Sequence, residues 1–162
     1  ENELVAGPDS FKRAIKTYNV NRVTSMAVAW IFARWLFQDA LEYAQQREQF
    51  EQPISEFQGV SHQLADMAIK LQNSRFLIYR ALSGDDLPGR ALSSMAKVYI
   101  SESAFEVADA ALQIKGAAGY VGETPESYAF RKLRGSKIAG GTPNIHRNNL
   151  VKSLYKDGLP EV

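Results

Sequence analysis

The run SEFQGVSHQLADMAIKLQNSRFLIYRALS, residues 55–83, decides the fold. Phe57, Val60, Leu64, Met67, Leu71, Ile78 and Leu82 return at three- and four-residue steps, with Ser74 at the intervening position. That is the apolar stripe of an amphipathic helix, one that must bury this face against a neighbour. Two flanking segments share the helical period. Residues 20–50 place Val23, Ala27, Trp30, Ile31, Leu41 and Ala44 on one broad face, and residues 90–115 carry Leu92, Met95, Tyr99, Val107, Ala110 and Ile114. The Ala and Ser content of the latter suggests close helix packing.

Gly and Pro, the strongest local punctuation, fall in few places: Gly7-Pro8, Pro53, 84–89, 116–125 and 135–143. Thr124-Pro125 and Thr142-Pro143 each offer a hydroxyl N-cap followed by Pro at the first helical position. No segment sustains strand alternation. The expectation is all-α: an antiparallel up-and-down bundle of the four-helix type, in one domain over residues 1–162. It has three long helices, one or two shorter C-terminal ones, and a short helix before Tyr18. The turn over 84–89 makes the second and third long helices antiparallel neighbours. Leu64, Met67, Leu71, Leu92, Met95 and Tyr99 are the expected core.

Composition narrows the function. With 19 Lys and Arg against 18 Asp and Glu, the net charge of +1 gives no reason to expect nucleic acid or an anionic membrane as a partner. The chain has no cysteine, which excludes disulfides, thiolate metal sites and a cysteine nucleophile. The most apolar stretch, 23–37, is too short to span a bilayer and contains Arg34. No signal-peptide pattern opens the chain, and a start at Glu1 suggests a fragment or processed product. A di-iron site in such a bundle needs Glu three residues before each His. Gly59 precedes His62 and Pro143 precedes His146 at that spacing, so no metal is expected. His62 is expected on a helix flank, without a catalytic role.

Three stretches each admit two readings. Arg47-Glu48-Gln49-Phe50, with Pro53-Ile54 and Phe57-Gln58 after it, is either a helix end and turn with a solvated charge run, or an Arg held at a junction to bind phosphate. Gln113 to Tyr120 is either a helix C-cap at Gly116 or a place where small residues let a ligand approach the backbone. Gly140-Gly141-Thr142 is either a loop with an N-cap or a helix start that meets an anion or cofactor edge.

Taken in order, these stretches resemble the C-terminal domain of the acyl-CoA dehydrogenase family. The resemblance covers nearly the whole chain. It is carried by Arg22, the run Tyr43 to Phe50, Pro53-Ile54, Phe57-Gln58, Leu64 to Met67 and Ala96-Lys97. It continues through Ala108-Asp109, Gln113, Gly116, Gly119-Tyr120, Arg131 and Gly141-Thr142 to Ile145 and Arg147. It implies a larger FAD-dependent enzyme that oxidises the Cα–Cβ bond of an acyl-CoA thioester, here represented by its C-terminal part. It implies self-association as dimer or tetramer, an electron-transfer flavoprotein as possible partner, and a cytoplasmic or, in a eukaryote, mitochondrial-matrix location. By the same resemblance Arg47, Gln49 and Phe50 contact the FAD of a partner subunit, with Phe57 and Gln58 beside it. Gln113, Gly116 and Ala117 form a loop near its adenosine and pyrophosphate. Thr142 and Asn144 touch the subunit's own FAD, and Asn19 and Arg22 border the acyl-CoA.

The chain departs from the family pattern at telling places. Glu51 and Ala117 stand where Gly is common, and Lys132 where an Asp often follows Arg131. The family's catalytic Glu directly before Gly-Thr is Gly140 here, and the alternative Glu position before Arg22 is Asn21. The catalytic base is therefore unknown from sequence. The alternatives to a working dehydrogenase are a catalytically degenerate structural or partner subunit, or a same-fold flavin enzyme with another substrate. Glu123 and Glu126, at a helix start, are expected to be explained by the helix dipole and solvent.

Overall fold

A computed structural model describes residues 7, 9–83 and 89–160. The fold is all-α. Helices α1 (Ser10–Gln46), α2 (Gln58–Leu82), α3 (Arg90–Lys115) and α5 (Pro125–Ser136) form the bundle, with α4 (Ala117–Tyr120) as a single turn and α6 (Pro143–Asp157) packed on α3. Trp30 Nε1 donates to the Leu71 carbonyl of α2 at 2.9 Å, while Arg22 reaches Ser93 and Asp39 reaches Lys115 on α3. The two α1–α3 pairs make those helices parallel, and the clustering of Val23 and Met26 near the start of α1 with Ile78 and Ala81 at the end of α2 makes α2 antiparallel to both, as the helical stripes and their short turn predict. Residues 84–88 of the turn joining them lie outside the described residues.

Helix α1 corrects two expectations. It is continuous from Ser10, with no separate short helix before Tyr18, because neither Gly nor Pro interrupts the segment before Pro53. It stops at Gln46 rather than Phe50. Arg47 turns extended, and a two-strand hairpin follows, β1 (Glu48–Gln49) pairing with β2 (Gln52–Pro53). The hairpin escaped sequence reading because two residues are too few to show alternation.

The core is drawn tighter than the apolar stripes suggest. On α2, Leu64, Met67, Leu71, Ser74 and Ile78 are buried as expected, but Leu82 is exposed. On α1 the buried face is Val23, Met26, Ala29, Ala33, Leu36, Ala40 and Ala44, and Ile31 is exposed. On α3 the buried face is small: Ser93, Ser94, Ala96, Ser101, Ala104, Ala108 and Ala111, with Ile100, Val107 and Ile114. Leu92, Met95 and Tyr99 are only partly buried. The interior there is a close approach of two backbones, which selects volume over hydrophobicity.

Both ends of α5 are tied to α3. Thr124 caps its start in a reciprocal pair with Ser127, and Glu126 in its first turn meets Lys115 Nζ at 2.6 Å. Lys115 also holds Asp39 of α1 at 2.6 Å. Glu126 is thus ion-paired and mostly buried, rather than explained by solvent. Its bond to Lys115 holds its carboxyl below the usual value, while the two carboxylates outweigh burial and raise the Lys115 ammonium. Glu123 is exposed.

The hairpin carries strain. Its two central residues, Phe50 and Glu51, have φ of 53° and 68°, as a two-residue turn matched to strand twist requires. Non-glycine side chains pay about 1–2 kcal/mol there. Glu51→Gly is expected to stabilise the chain by about 1 kcal/mol, and Glu51→Ala is not. Urea unfolding of the three proteins checks this; equal midpoints for Gly and Ala would contradict the strain.

Candidate functional site

One cleft lies between α1 and α5, floored by α3. It holds about 530 Å³, and its wall includes Tyr18, Asn21, Arg22, Lys97, Lys132 and Gly140. The fold brings Asn21 and Gly140, more than a hundred positions apart in sequence, to the same cavity. Arg22 donates through Nη1 to Asn19 Oδ1 at 2.8 Å and Ser93 Oγ at 2.7 Å, and its guanidinium lies over the Tyr18 ring at 4.9 Å. Asn19 is buried. The buried Nε of Arg22 has no partner among the described residues. Burial lowers the pKa of this guanidinium.

Lys97 is the largest fully buried side chain among the described residues, 1% exposed. Its ammonium donates to the carbonyls of Ser136 and Ala139, the latter at 2.9 Å. These are orphan acceptors at the end of α5, where a cation is favoured. Burial, and then repulsion from Arg22, pushes Lys97 down to about 8. The second clamp on this loop is His146, also buried. Its Nε2 lies 3.0 Å from the Gly140 carbonyl, so Nε2 carries the proton and donates, leaving Nδ1 to accept from Ser94 Oγ at 3.4 Å. Gly141 has φ of 96°, and a Cβ there would stand 2.8 Å from His146 Nε2. Glycine is thus required by both backbone and space.

The remaining sequence candidates fall at two ends of the bundle. Arg47, Gln49 and Phe50 are exposed on the hairpin, and the Phe50 ring meets Phe57 edge-on at 6.2 Å. Phe57 precedes α2 and Gln58 opens it. Gln113, Gly116 and Ala117 line a second cleft of about 590 Å³ at that same end, with Tyr120 and Arg131. Thr142 and Asn144 begin α6 at the other end, where His146 meets Ser94. From Ser94 to Gln113 along α3 is about 30 Å at 1.5 Å per residue. One chain does not gather the two sets around one point. His62 is exposed on α2.

Sequence reasoning missed Lys97 and His146 as members of this site. Lys97 sits four residues after Ser93 and seven before Ala104, inside the buried stripe of α3. A lone Lys in register with a helix's buried face was the available signal. His146 had none, since one partner is a backbone carbonyl and the other, Ser94, lies 52 positions away in sequence.

A family model described as acyl-CoA dehydrogenase, C-terminal domain, matches residues 10–155. The 3-sulfinopropanoyl-CoA desulfinase of Cupriavidus necator is 37% identical over 163 residues, covering 98% of this chain and 41% of the relative. A caffeyl-CoA reductase–Etf complex subunit of Acetobacterium woodii is 34% identical, covering 96% of this chain and 42% of the relative. The structure of butyryl-CoA dehydrogenase from Megasphaera elsdenii superposes with a TM-score of 0.87 at 31% identity, over 93% of this chain and 40% of that one. The chain thus spans about two fifths of the length of the relatives it matches.

Burial lowers the His146 pKa below 6.5, outweighing the bond to Gly140. Between the folded pKa and 6.5 the unfolded chain binds more protons, so stability rises with pH and is lost on acidification through that window. Melting temperature measured from about pH 7.5 to about pH 5.5 should fall more steeply in the wild type than in His146→Gln. Parallel curves would remove the buried neutral imidazole.

Proposed function

Because this chain belongs to the acyl-CoA dehydrogenase family, we propose that it is the C-terminal domain of a longer FAD-dependent enzyme acting on acyl-CoA thioesters. The carrying observation is the cleft that joins Asn21, Arg22 and Gly140. These positions correspond by resemblance to the acyl-CoA border and the two base sites.

The residues present fit FAD in kind. The hairpin offers a guanidinium, an amide and an exposed aromatic ring in Arg47, Gln49 and Phe50. Thr142 makes no side-chain cap bond, so its hydroxyl and the first N–H groups of α6 are available. The two sets lie at opposite bundle ends, which supports assignment to two cofactors: hairpin, Phe57, Gln58, Gln113, Gly116 and Ala117 to a partner's FAD, Thr142 and Asn144 to the subunit's own. FAD, when bound, supplies the acceptor for hydride from the β-carbon. Arg22 borders the acyl group. Asn19, buried outside the cleft wall, holds the Arg22 guanidinium rather than bordering the acyl group as the resemblance implies. The Lys97 and His146 clamps hold the loop that approaches the acyl group.

Such a division requires self-association. Ile69, Phe76 and Tyr79 are exposed at 58%, 66% and 56% along α2, apolar surface suited to a partner copy. Sedimentation of the chain at about 100 μM should show dimers or larger species; a strict monomer would sink the shared site. The Etf complex named for the Acetobacterium relative supports an electron-transfer flavoprotein as redox partner. The compartment we infer is the cytoplasm, or the mitochondrial matrix of a eukaryote.

A second reading is favoured by one observation: both base positions lack a carboxylate, and none lines the cleft among the described residues. A domain without its own base suits either a partner subunit or a flavin enzyme with different chemistry on a CoA thioester, as the desulfinase named among its relatives illustrates. Asn21 lies on a regular helix, exposed to the cleft, where a Glu costs no backbone strain. In the full-length protein, Asn21→Glu should speed flavin reduction by butyryl-CoA about tenfold or more, within the usual worth of a general base. Fast reduction in the unmodified protein would show that the base lies outside this domain.

A further inference from the structure

The cleft wall includes Arg22 from α1, Lys97 from α3, and Arg131 and Lys132 from α5. None of these four forms an ion pair with a carboxylate among the described residues. The polar partners of Lys97 are neutral carbonyls, and those of Arg22 are an amide and a hydroxyl. Cations gathered in a partly buried cavity repel one another, and Arg22 already depresses the Lys97 ammonium. Elsewhere in the molecule a buried cation is neutralised: Lys115 holds two carboxylates at 2.6 Å each. The contrast marks the cleft as a place where the counter-charge arrives with the ligand.

We propose that this cleft selects an acyl thioester whose short acyl chain ends in a second anion, a carboxylate or a sulfinate. The rest of the wall suits such a group. Met26, Val28, Ala29 and Phe32 supply an apolar side for the methylene chain, and the cations supply the terminus. Lys132 is exposed at the rim and sets the sign of the entrance, Arg22 is half-buried, and Lys97, bonded to two carbonyls, adds its charge from behind the wall. The proposal rests on the acyl-CoA reading above and names the class of acyl group within it.

The test uses the full-length protein with its flavin, and calorimetric titration with butyryl-CoA, succinyl-CoA and 3-sulfinopropanoyl-CoA. Butyryl and succinyl chains share their carbon count and differ in a terminal methyl against a carboxylate. The sulfinate arm distinguishes the two anions. The anionic thioesters should bind about tenfold or more tightly than butyryl-CoA, the usual worth of a charge-assisted contact. Lys132→Asp, a surface change that leaves the packed interior alone, should cut that preference at least about threefold, read as the ratio of succinyl- to butyryl-CoA affinity, in which the charge of the shared CoA moiety cancels. Lys97→Met should cut it further, but that variant also strips two carbonyls of their donor, so Lys132→Asp decides. Equal binding of butyryl- and succinyl-CoA overturns the proposal, as does a Lys132→Asp protein that weakens both alike. Failure of every CoA thioester to bind removes the acyl-CoA reading itself, and the proposal with it.

Discussion

The close approach of α1 and α3 is the constraint on which the rest depends. Ala29, Ala33, Ala40 and Ala44 face a stripe of Ser and Ala on α3, so the two backbones pack with little between them. Small faces yield modest transfer energy per residue, but many contacts per unit length. They also forbid slippage, since a larger side chain anywhere on the seam would force the helices apart. Two consequences follow for the site. Arg22 reaches Ser93 because α1 is close enough for a 2.7 Å contact. Lys97, on the same stripe, emerges beneath α5 and holds its last carbonyls.

How much of this was legible in the sequence depends on what each contact uses. The stripe of α2 read correctly because its buried members, Ser74 aside, are large, apolar and periodic, and Leu82 at the last helical position misled. On α3 the same method chose Leu92, Met95 and Tyr99, which lie beside the buried face. Hydrophobicity ranks Leu above Ser, whereas the seam between α1 and α3 ranks Ser above Leu by size. The break placed near Tyr18 failed for a related reason: the apolar spacing thins there, but no residue actually stops the helix. The strand pair at 48–53 was invisible because its signature is a pair of positive φ values at Phe50 and Glu51, residues that do not advertise them.

The site was legible where resemblance supplied it and illegible where the backbone did. Asn21, Arg22 and Gly140 were marked by motif, and the fold sets all three on one cavity. Lys97 and His146 act on carbonyl oxygens of residues 136–140, and a carbonyl leaves no mark in a sequence. Together they bind the loop after α5 to α3 from two directions, one as a buried cation and one as a neutral ring.

That clamp changes how the missing carboxylate at position 140 should be understood. Gly140 has φ of 71°, a conformation that L side chains rarely adopt, although the space ahead is open, with Tyr18 Oη 3.7 Å from where a Cβ would stand. Its carbonyl is held by His146, and its neighbour Gly141 is pressed against the same ring. The glycine at 140 is therefore part of a loop conformation and not an isolated deletion of a side chain. A carboxylate restored there would oppose the backbone unless His146 released it, whereas position 21, on an unbroken helix across the same cleft, carries no such condition. The local structure thus ties the glycine at 140 to the clamp that His146 makes on its carbonyl. Among the described residues the cleft then has no carboxylate and none of the negative charge one would bring, the condition in which its lysines and arginines remain unneutralised.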